Sequence, residues 1–246
     1  MKMSTEQAWF ASWFDTNYYH ILYKNRDDSE ASYFIENLFN RLDLSNEYVL
    51  DLACGKGRHS IFMNSLGLNV LGVDLSENSI SLASSFSNDK LKFKVHDMRN
   101  IIENNSFDVV FNLFTSFGYF DSDADNHSVL KSVYMMLNPN GKLVIDFMNA
   151  HKVINNLVKE ETKLLDEIQF DITRNYDGKF ITKDILISDK DNKFAYQEKV
   201  RAFFKEDFYQ LLNENGFTVE SVFGDFSLND FEKETSDRLI IIASKK

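Results

Sequence analysis

Five short apolar runs, separated by helical patterns and turns, constrain this chain more than any other feature. They are Tyr48–Leu52, Val70–Val73, Leu91–Val95, Phe107–Phe111 and Lys142–Phe147. Strands that are apolar at consecutive positions are covered on both faces, which is the mark of a parallel sheet with helices above and below. Ile61, Phe62 and Leu66 recur at helical spacing and stop at Gly67. Asp74-Leu75-Ser76 caps the next helix, and a helix over about 125–137 is stopped by Pro139. Upstream, Trp9, Trp13, Phe14 and Tyr18, then Phe34, Ile35, Leu38, Phe39 and Leu42, predict N-terminal helices.

After the fifth run the period changes from 3.6 to 2. Ile168, Phe170 and Ile172 alternate with polar residues, as do Ile181, Ile185 and Ile187, and then Phe194, Tyr196 and Val200. Asp177-Gly178 and Asp189–Asn192 supply the turns. A helix over about 205–215 follows, and Phe217–Phe226 and Leu239–Ala243 predict two last strands, antiparallel at the sheet edge. The expected division is a helical cap over 1–44, an α/β body over 45–160 and 205–246, and an antiparallel insert over 161–204.

Composition removes several partners. The chain has 246 residues and a net charge of −11, which repels phosphate backbones and anionic lipid. There is no basic stripe, no apolar run of membrane-spanning length and no apolar signal segment near Met1, so nucleic acid and membrane are not expected partners. The single cysteine, Cys54, fits a reducing cytoplasm. His20, His59, His96, His127 and His151 are scattered without metal-ligand spacing, so no metal is expected.

The chemistry gathers where strands end. Asp51-Leu-Ala-Cys-Gly55-Lys-Gly57 joins the first run to the first helix. A dinucleotide fingerprint would need a third glycine where Ser60 stands, and Asp51 would repel a pyrophosphate. A carboxylate there suits a cationic ligand better. Asp74 ends the second run, in place to accept hydrogen bonds from ribose hydroxyls. Asp97 and Met98 follow the third, an acid for an adenine amino group and a thioether for its face. The competing view of each acid alone is a helix cap or a solvated turn.

This ordered set resembles the class I S-adenosylmethionine-dependent methyltransferases. The likeness spans about 45–246 and includes the loop at Asn112 and the closing strand hairpin. It implies an α/β fold: a Rossmann-like seven-stranded, mostly parallel sheet with an N-terminal helical cap and an inserted antiparallel β subdomain. It implies S-adenosylmethionine as cofactor, with Asp51, Ala53, Cys54, Gly55 and Gly57 around its methionine part and Asp74 and Leu75 at the ribose. Asp97 and Met98 would take the adenine, and Asn112, Leu113 and Phe114 would border the methyl group. Cys54 stands where glycine is common, as a small residue tolerated in the turn. The insert is similar to that of sugar and glycine N-methyltransferases, in which an N-terminal tyrosine-bearing helix closes over the cofactor. Tyr18 or Tyr19 would then cap it and Arg26 would meet its carboxylate.

Phe114, Phe117, Tyr119 and Phe120 either exclude water at the sulfonium or form a lid over the core. Arg174, Lys183 and Glu198 each place one charge on an otherwise apolar strand face. They are either an ion-pair cluster inside the insert or a polar patch in a substrate pocket. Glu198, His20 and Asp146 are the candidate proton acceptors. The expected reaction is methyl transfer to a nitrogen or oxygen of a small-molecule acceptor, by a monomer or a homodimer formed through the insert. The rivals are a non-catalytic cofactor-binding regulator or assembly protein, and a protein methyltransferase.

Overall fold

A computed structural model describes residues 13–24, 28–103 and 106–246, with backbone alone at Asp28. The apolar runs become β1 (Tyr48–Leu52), β2 (Asn69–Asp74), β3 (Leu91–Val95), β4 (Phe107–Asn112) and β5 (Leu137–Met148). β1 lies parallel to β2 and β4, β2 to β3, and β4 to β5. Antiparallel β10 (Phe217–Phe223) and β11 (Arg238–Lys245) complete seven strands in the order β10-β11-β5-β4-β1-β2-β3. Of the last two strands, only β10 lies at an edge. β11 lies inside because Leu239–Ala243 is apolar throughout and wholly buried, whereas β10 exposes Thr218 and Glu220.

Helices cover both faces. On one, Phe34, Ile35 and Leu38 of α2 (Asp28–Arg41) and Met63 of α3 (Arg58–Ser65) pack on Val49, Val144 and Ile240. On the other, Val129, Leu130 and Val133 of α5 (Asp123–Met136) and Phe208, Leu211 and Leu212 of α7 (Lys205–Glu214) pack on Leu50, Val110 and Ile241. Each such side chain contributes about 1.5–3 kcal/mol of burial. Within the expected cap over 1–44, α2 packs on the sheet, and residues 13–24, with α1 (Asn17–Leu22), pack against the insert. Helix α5 stops at Met136, and Pro139 sits where the β4–β5 ladder is interrupted between Leu137 and Lys142, so its missing N–H costs no regular pairing.

Among the described residues, the remaining α-helices are α4 (Glu77–Ala83) and α6 (Ala150–Asn155). The insert is a four-stranded meander of β6 (Glu160–Leu165), β7 (Ile168–Tyr176), β8 (Phe180–Asp189) and β9 (Asn192–Arg201). β6 is absent from the sequence-based expectation. The inner face of the meander holds Ile168, Phe170, Ile172, Ile185 and Ile187 against Leu22 and the fully buried Trp13. The amphipathic strands are thus partly covered by the N-terminal segment itself.

Candidate functional site

A cavity of about 720 Å³ opens at the carboxyl ends of β1 to β5. Its roof is the inner face of the insert together with residues 14–24. That is where an open α/β sheet takes its ligand.

The β1–α3 turn forms the floor. Cys54 N–H donates to the Val73 carbonyl at 2.9 Å, which stitches the turn to β2. Gly55 has φ +56°, and a Cβ built on it meets no atom within 4 Å. Gly57, at φ +82°, differs: its Cβ would stand 2.7 Å from the Phe93 ring of β3 and 3.2 Å from Ala83 Cβ. Gly57 does not line the cavity. Gly55 is therefore the glycine open to the cavity, whereas Gly57 packs the turn on β3. A valine at 55 is expected to abolish cofactor binding while a cooperative melt is kept. A valine at 57 is expected to lower the melting temperature first, by about 5 °C or more, since overpacking costs about 1–3 kcal/mol and the strained φ adds to it. Calorimetric scanning of both variants, with cofactor titration, checks the contrast.

Asp51 is fully buried and accepts a 2.5 Å hydrogen bond from Ser60 Oγ. Burial pushes its carboxyl up to about 6 from 3.8, with Asp74 adding to the rise and the Ser60 bond opposing it. A carboxyl whose folded value is raised keeps its proton in the folded state between about pH 4 and 6. Its contribution is thus most favourable below about pH 4 and declines as pH climbs through 6. Asp51→Asn is expected to melt higher than the parent at pH 8, by up to about 3 kcal/mol of stability, with no gain at pH 4. Melting curves at the two pH values test the sign.

Asp74 closes β2. Its Oδ2 accepts from Gly55 N–H at 2.8 Å and its Oδ1 from Ser76 N–H at 2.9 Å. Burial raises its pKa. The carboxylate is thereby fixed at the cavity wall beside Leu75. The Ser76 hydroxyl donates to Asp15, so the N-terminal segment is tied to the same turn. Asp97 lies at the cavity beside Met98. Arg99 holds it through Nε and Nη2, the latter at 2.6 Å, and reaches Asp125 at 3.1 Å. The Arg99 guanidinium also stacks on the Phe120 ring at 4.9 Å. Burial works to raise the Asp97 carboxyl, and the Arg99 bonds win and hold it low.

Past β4 the chain makes two successive left-handed residues, Phe114 (φ 62°) and Thr115 (φ 60°). Such residues persist only when the surroundings hold them. Here Phe114 N–H donates to Asp146 Oδ2 at 2.8 Å and Thr115 N–H to the Asp146 carbonyl at 2.9 Å. Asp146 is wholly buried, accepts from Arg238 Nε at 2.7 Å and does not line the cavity. It is a positioning residue, which corrects its candidacy as a base. Leu113 and Phe114 line the cavity, while Asn112 and Phe117 do not. Asn112 Nδ2 donates to the Leu52 carbonyl at 3.0 Å and ties β4 to β1. Phe117 is buried between Phe203 and Phe208.

From the roof come Phe14, Tyr19, His20 and Tyr23. Tyr18 points elsewhere: its hydroxyl donates to Asp189 at 3.0 Å and its ring lies 5.0 Å from Phe194. Arg26 lies outside the described residues. Burial, then nearby Lys56, lowers the His20 pKa, so its imidazole is neutral at pH 7. Arg174, Lys183 and Glu198 do face the cavity, across three adjacent strands. Their pairing differs from expectation. Arg174 Nη2 donates to Glu161 of β6 at 2.6 Å. Glu198 accepts from Trp13 Nε1 at 2.8 Å and from the Tyr23 hydroxyl at 2.7 Å. Lys183 Nζ donates to the Tyr23 oxygen at 2.5 Å and stands 3.7 Å from Glu198. Tyr119 lines the cavity, 5.7 Å from Phe14 between ring centres.

The residues present fit S-adenosylmethionine. An open glycine cradle, acids at three strand ends and apolar Leu75 and Met98 match its ammonium, ribose and adenine. Cys54 is a buried thiol whose pKa burial pushes well up, so it is a space-filling residue and no nucleophile. Sequence patterning missed Lys56, Arg58, His59 and Arg238, all of which line the cavity. Arg58 and Arg238 flank the Phe114 ring at 5.3 and 5.7 Å. The available signal was scarcity: the chain has seven arginines, and two of them follow Gly57 or open the last strand.

A family model of the methyltransferase domain matches residues 43–216. The chain is 27% identical over 236 residues to the glycine/sarcosine N-methyltransferase of Aphanothece halophytica, across 89% of this chain and 83% of that one. A solved S-adenosylmethionine-dependent methyltransferase from Clostridium acetobutylicum superposes with a TM-score of 0.79 at 21% identity, covering 93% of this chain and 96% of that one. The sugar N-methyltransferase KedS8 from Streptoalloteichus superposes at 0.73 with 19% identity, covering 93% and 92%.

Proposed function

The chain belongs to the methyltransferase domain family and is an S-adenosylmethionine-dependent methyltransferase, and we propose that its acceptor is a nitrogen or oxygen of a small molecule. One observation carries this: the cavity that holds the cofactor residues is roofed by the insert and by residues 14–24. A volume of about 720 Å³ suits a cofactor with a small acceptor beside it. S-adenosylmethionine supplies a methyl group already activated on a sulfonium. The protein's share is then to position and to exclude water.

Gly55, Asp51 and Asp74 hold the cofactor's methionine and ribose ends, and Asp97 and Met98 its adenine. Phe114, Tyr19 and Tyr119 keep water from the transfer site. Of the three candidate proton acceptors, His20 fits best. Asp146 is committed to the β4 loop, and Glu198 already accepts two hydrogen bonds and lies near Lys183. A proton leaves the acceptor to the neutral His20 imidazole when the acceptor arrives protonated. The site is completed within one chain, so a monomer suffices. No helix among the described residues is long and apolar enough to cross a membrane, and the buried free Cys54 suits the cytoplasm.

The test is turnover with methyl-tritiated S-adenosylmethionine and a cell extract split by size. Label in the small-molecule fraction, with S-adenosylhomocysteine formed in equal amount, supports the proposal. Label in the protein fraction alone favours a protein acceptor, and binding without turnover favours a regulator.

A further inference from the structure

The charges that line the cavity are paired in different ways. Asp51, Asp74 and Asp97 stand at the ends of β1, β2 and β3 or just beyond them, and Lys56, Arg58 and Arg99 follow in the same loops. Arg174, Lys183 and Arg238 line the cavity as well. Lys183 has Glu198 inside the same cavity. Arg174 and Arg238 do not: their carboxylates, Glu161 and Asp146, stand behind them and line no part of it. Both ion pairs therefore turn their positive ends toward the acceptor, in a chain of net charge −11.

Arg238 is the more firmly built of the two. Its Nε donates to Asp146 Oδ1 at 2.7 Å and its Nη2 to Thr115 Oγ1 at 3.0 Å. Its guanidinium lies over the rings of Phe114 at 5.7 Å and Phe226 at 5.5 Å. Those hydrogen bonds use two of its nitrogens, and the side chain lines the cavity. A guanidinium fixed in this way loses little entropy on meeting an anion. The neighbouring Met148 and Leu157 lower the local dielectric and strengthen the attraction.

We propose that the methyl acceptor carries an oxyanion of the carboxylate type and that Arg238 receives it. The inference rests on the methyltransferase reading above and names the acceptor class for the same site. It also accounts for Asp146, which orients Arg238 and the Phe114–Thr115 turn at once and so couples the seat of the anion to the wall of the transfer site.

The probe is acetate, with neutral acetamide as its isostere, titrated by magnetic resonance into protein saturated with S-adenosylhomocysteine. Acetate is expected to bind about tenfold more tightly than acetamide, a charge-assisted preference. In Arg238→Met that ratio falls toward one. Arg238→Lys, which keeps the charge and a partner for Asp146, restores part of it. The ratio is taken within each protein at saturating S-adenosylhomocysteine, so a change in cofactor affinity or stability does not enter it, and a cooperative melt reports that each variant is folded. Equal binding of acetate and acetamide to the parent protein overturns the proposal, as does a tenfold preference that survives in Arg238→Met. Failure of the parent protein to bind S-adenosylhomocysteine is a separate result, and it overturns the methyltransferase reading instead.

Discussion

Asp74→Ala is expected to weaken S-adenosylmethionine binding by about 30- to 1,000-fold. Two charge-assisted hydrogen bonds to ribose hydroxyls are worth on the order of 2–4 kcal/mol, and each 1.4 kcal/mol is a factor of ten. A second loss adds to the first. The same carboxylate fastens the amides of Gly55 and Ser76, so alanine also frees the cradle that must be preformed. Asp74→Asn keeps one acceptor oxygen and should fall between the two. Titration calorimetry of the three proteins measures the series, and equal affinity in parent and alanine variant would remove Asp74 from the cofactor site.

The largest effect on stability is expected at Asp146. Alanine there leaves the Arg238 guanidinium with 17% of its side chain exposed and without its carboxylate. It also strips the Phe114 amide of its acceptor. Breaking a buried pair from one side costs about 3–5 kcal/mol, or roughly 6–20 °C in melting temperature for a domain of this size. Asp146→Asn keeps an oxygen for one donor and should lose less. Cofactor affinity and turnover should fall as well, because the carboxylate that holds the left-handed Phe114 at its amide is lost from the wall of the cavity. A melting temperature within about 2 °C of the parent would show that the pair bears no load in the fold.

The parallel sheet was legible because its strands are buried on both faces and so read as unbroken apolar runs. The three strand-end acids were legible for a related reason: each ends such a run, and the fold brings those ends to one edge. β6 was not, since Glu160, Glu161 and Lys163 interrupt its alternation and its only large apolar residues are Leu164 and Leu165. One omission caused another. With β6 unseen, Glu161 was not recognised as the partner of Arg174. Gly57 and Gly55 look alike in the sequence, and what separates them is the ring of Phe93, which reaches Gly57 from a strand 36 positions away. Asp146 and Arg238 meet only because β11 inserts antiparallel beside β5, a register that no local pattern records.

The N-terminal segment shows how local and tertiary signals divide. Its aromatic spacing predicted helix, and the family resemblance implied contact with the site. Which tyrosine does so depends on rotation of a six-residue helix: Tyr19 and Tyr23 turn toward the cavity and Tyr18 toward Asp189. Thr16 fixes that rotation by accepting the Tyr19 amide at 3.1 Å, and Trp13 fixes its depth through Glu198.

The central claim is that acids at three strand ends and an open glycine turn make this cavity a seat for S-adenosylmethionine, in preference to a dinucleotide. Competitive calorimetry with S-adenosylhomocysteine and NAD tests it directly. One equivalent of S-adenosylhomocysteine should bind, and NAD should neither bind nor displace it, because Asp51 repels a pyrophosphate at the turn. Binding of NAD with the higher affinity, or displacement of S-adenosylhomocysteine by it, would contradict the account.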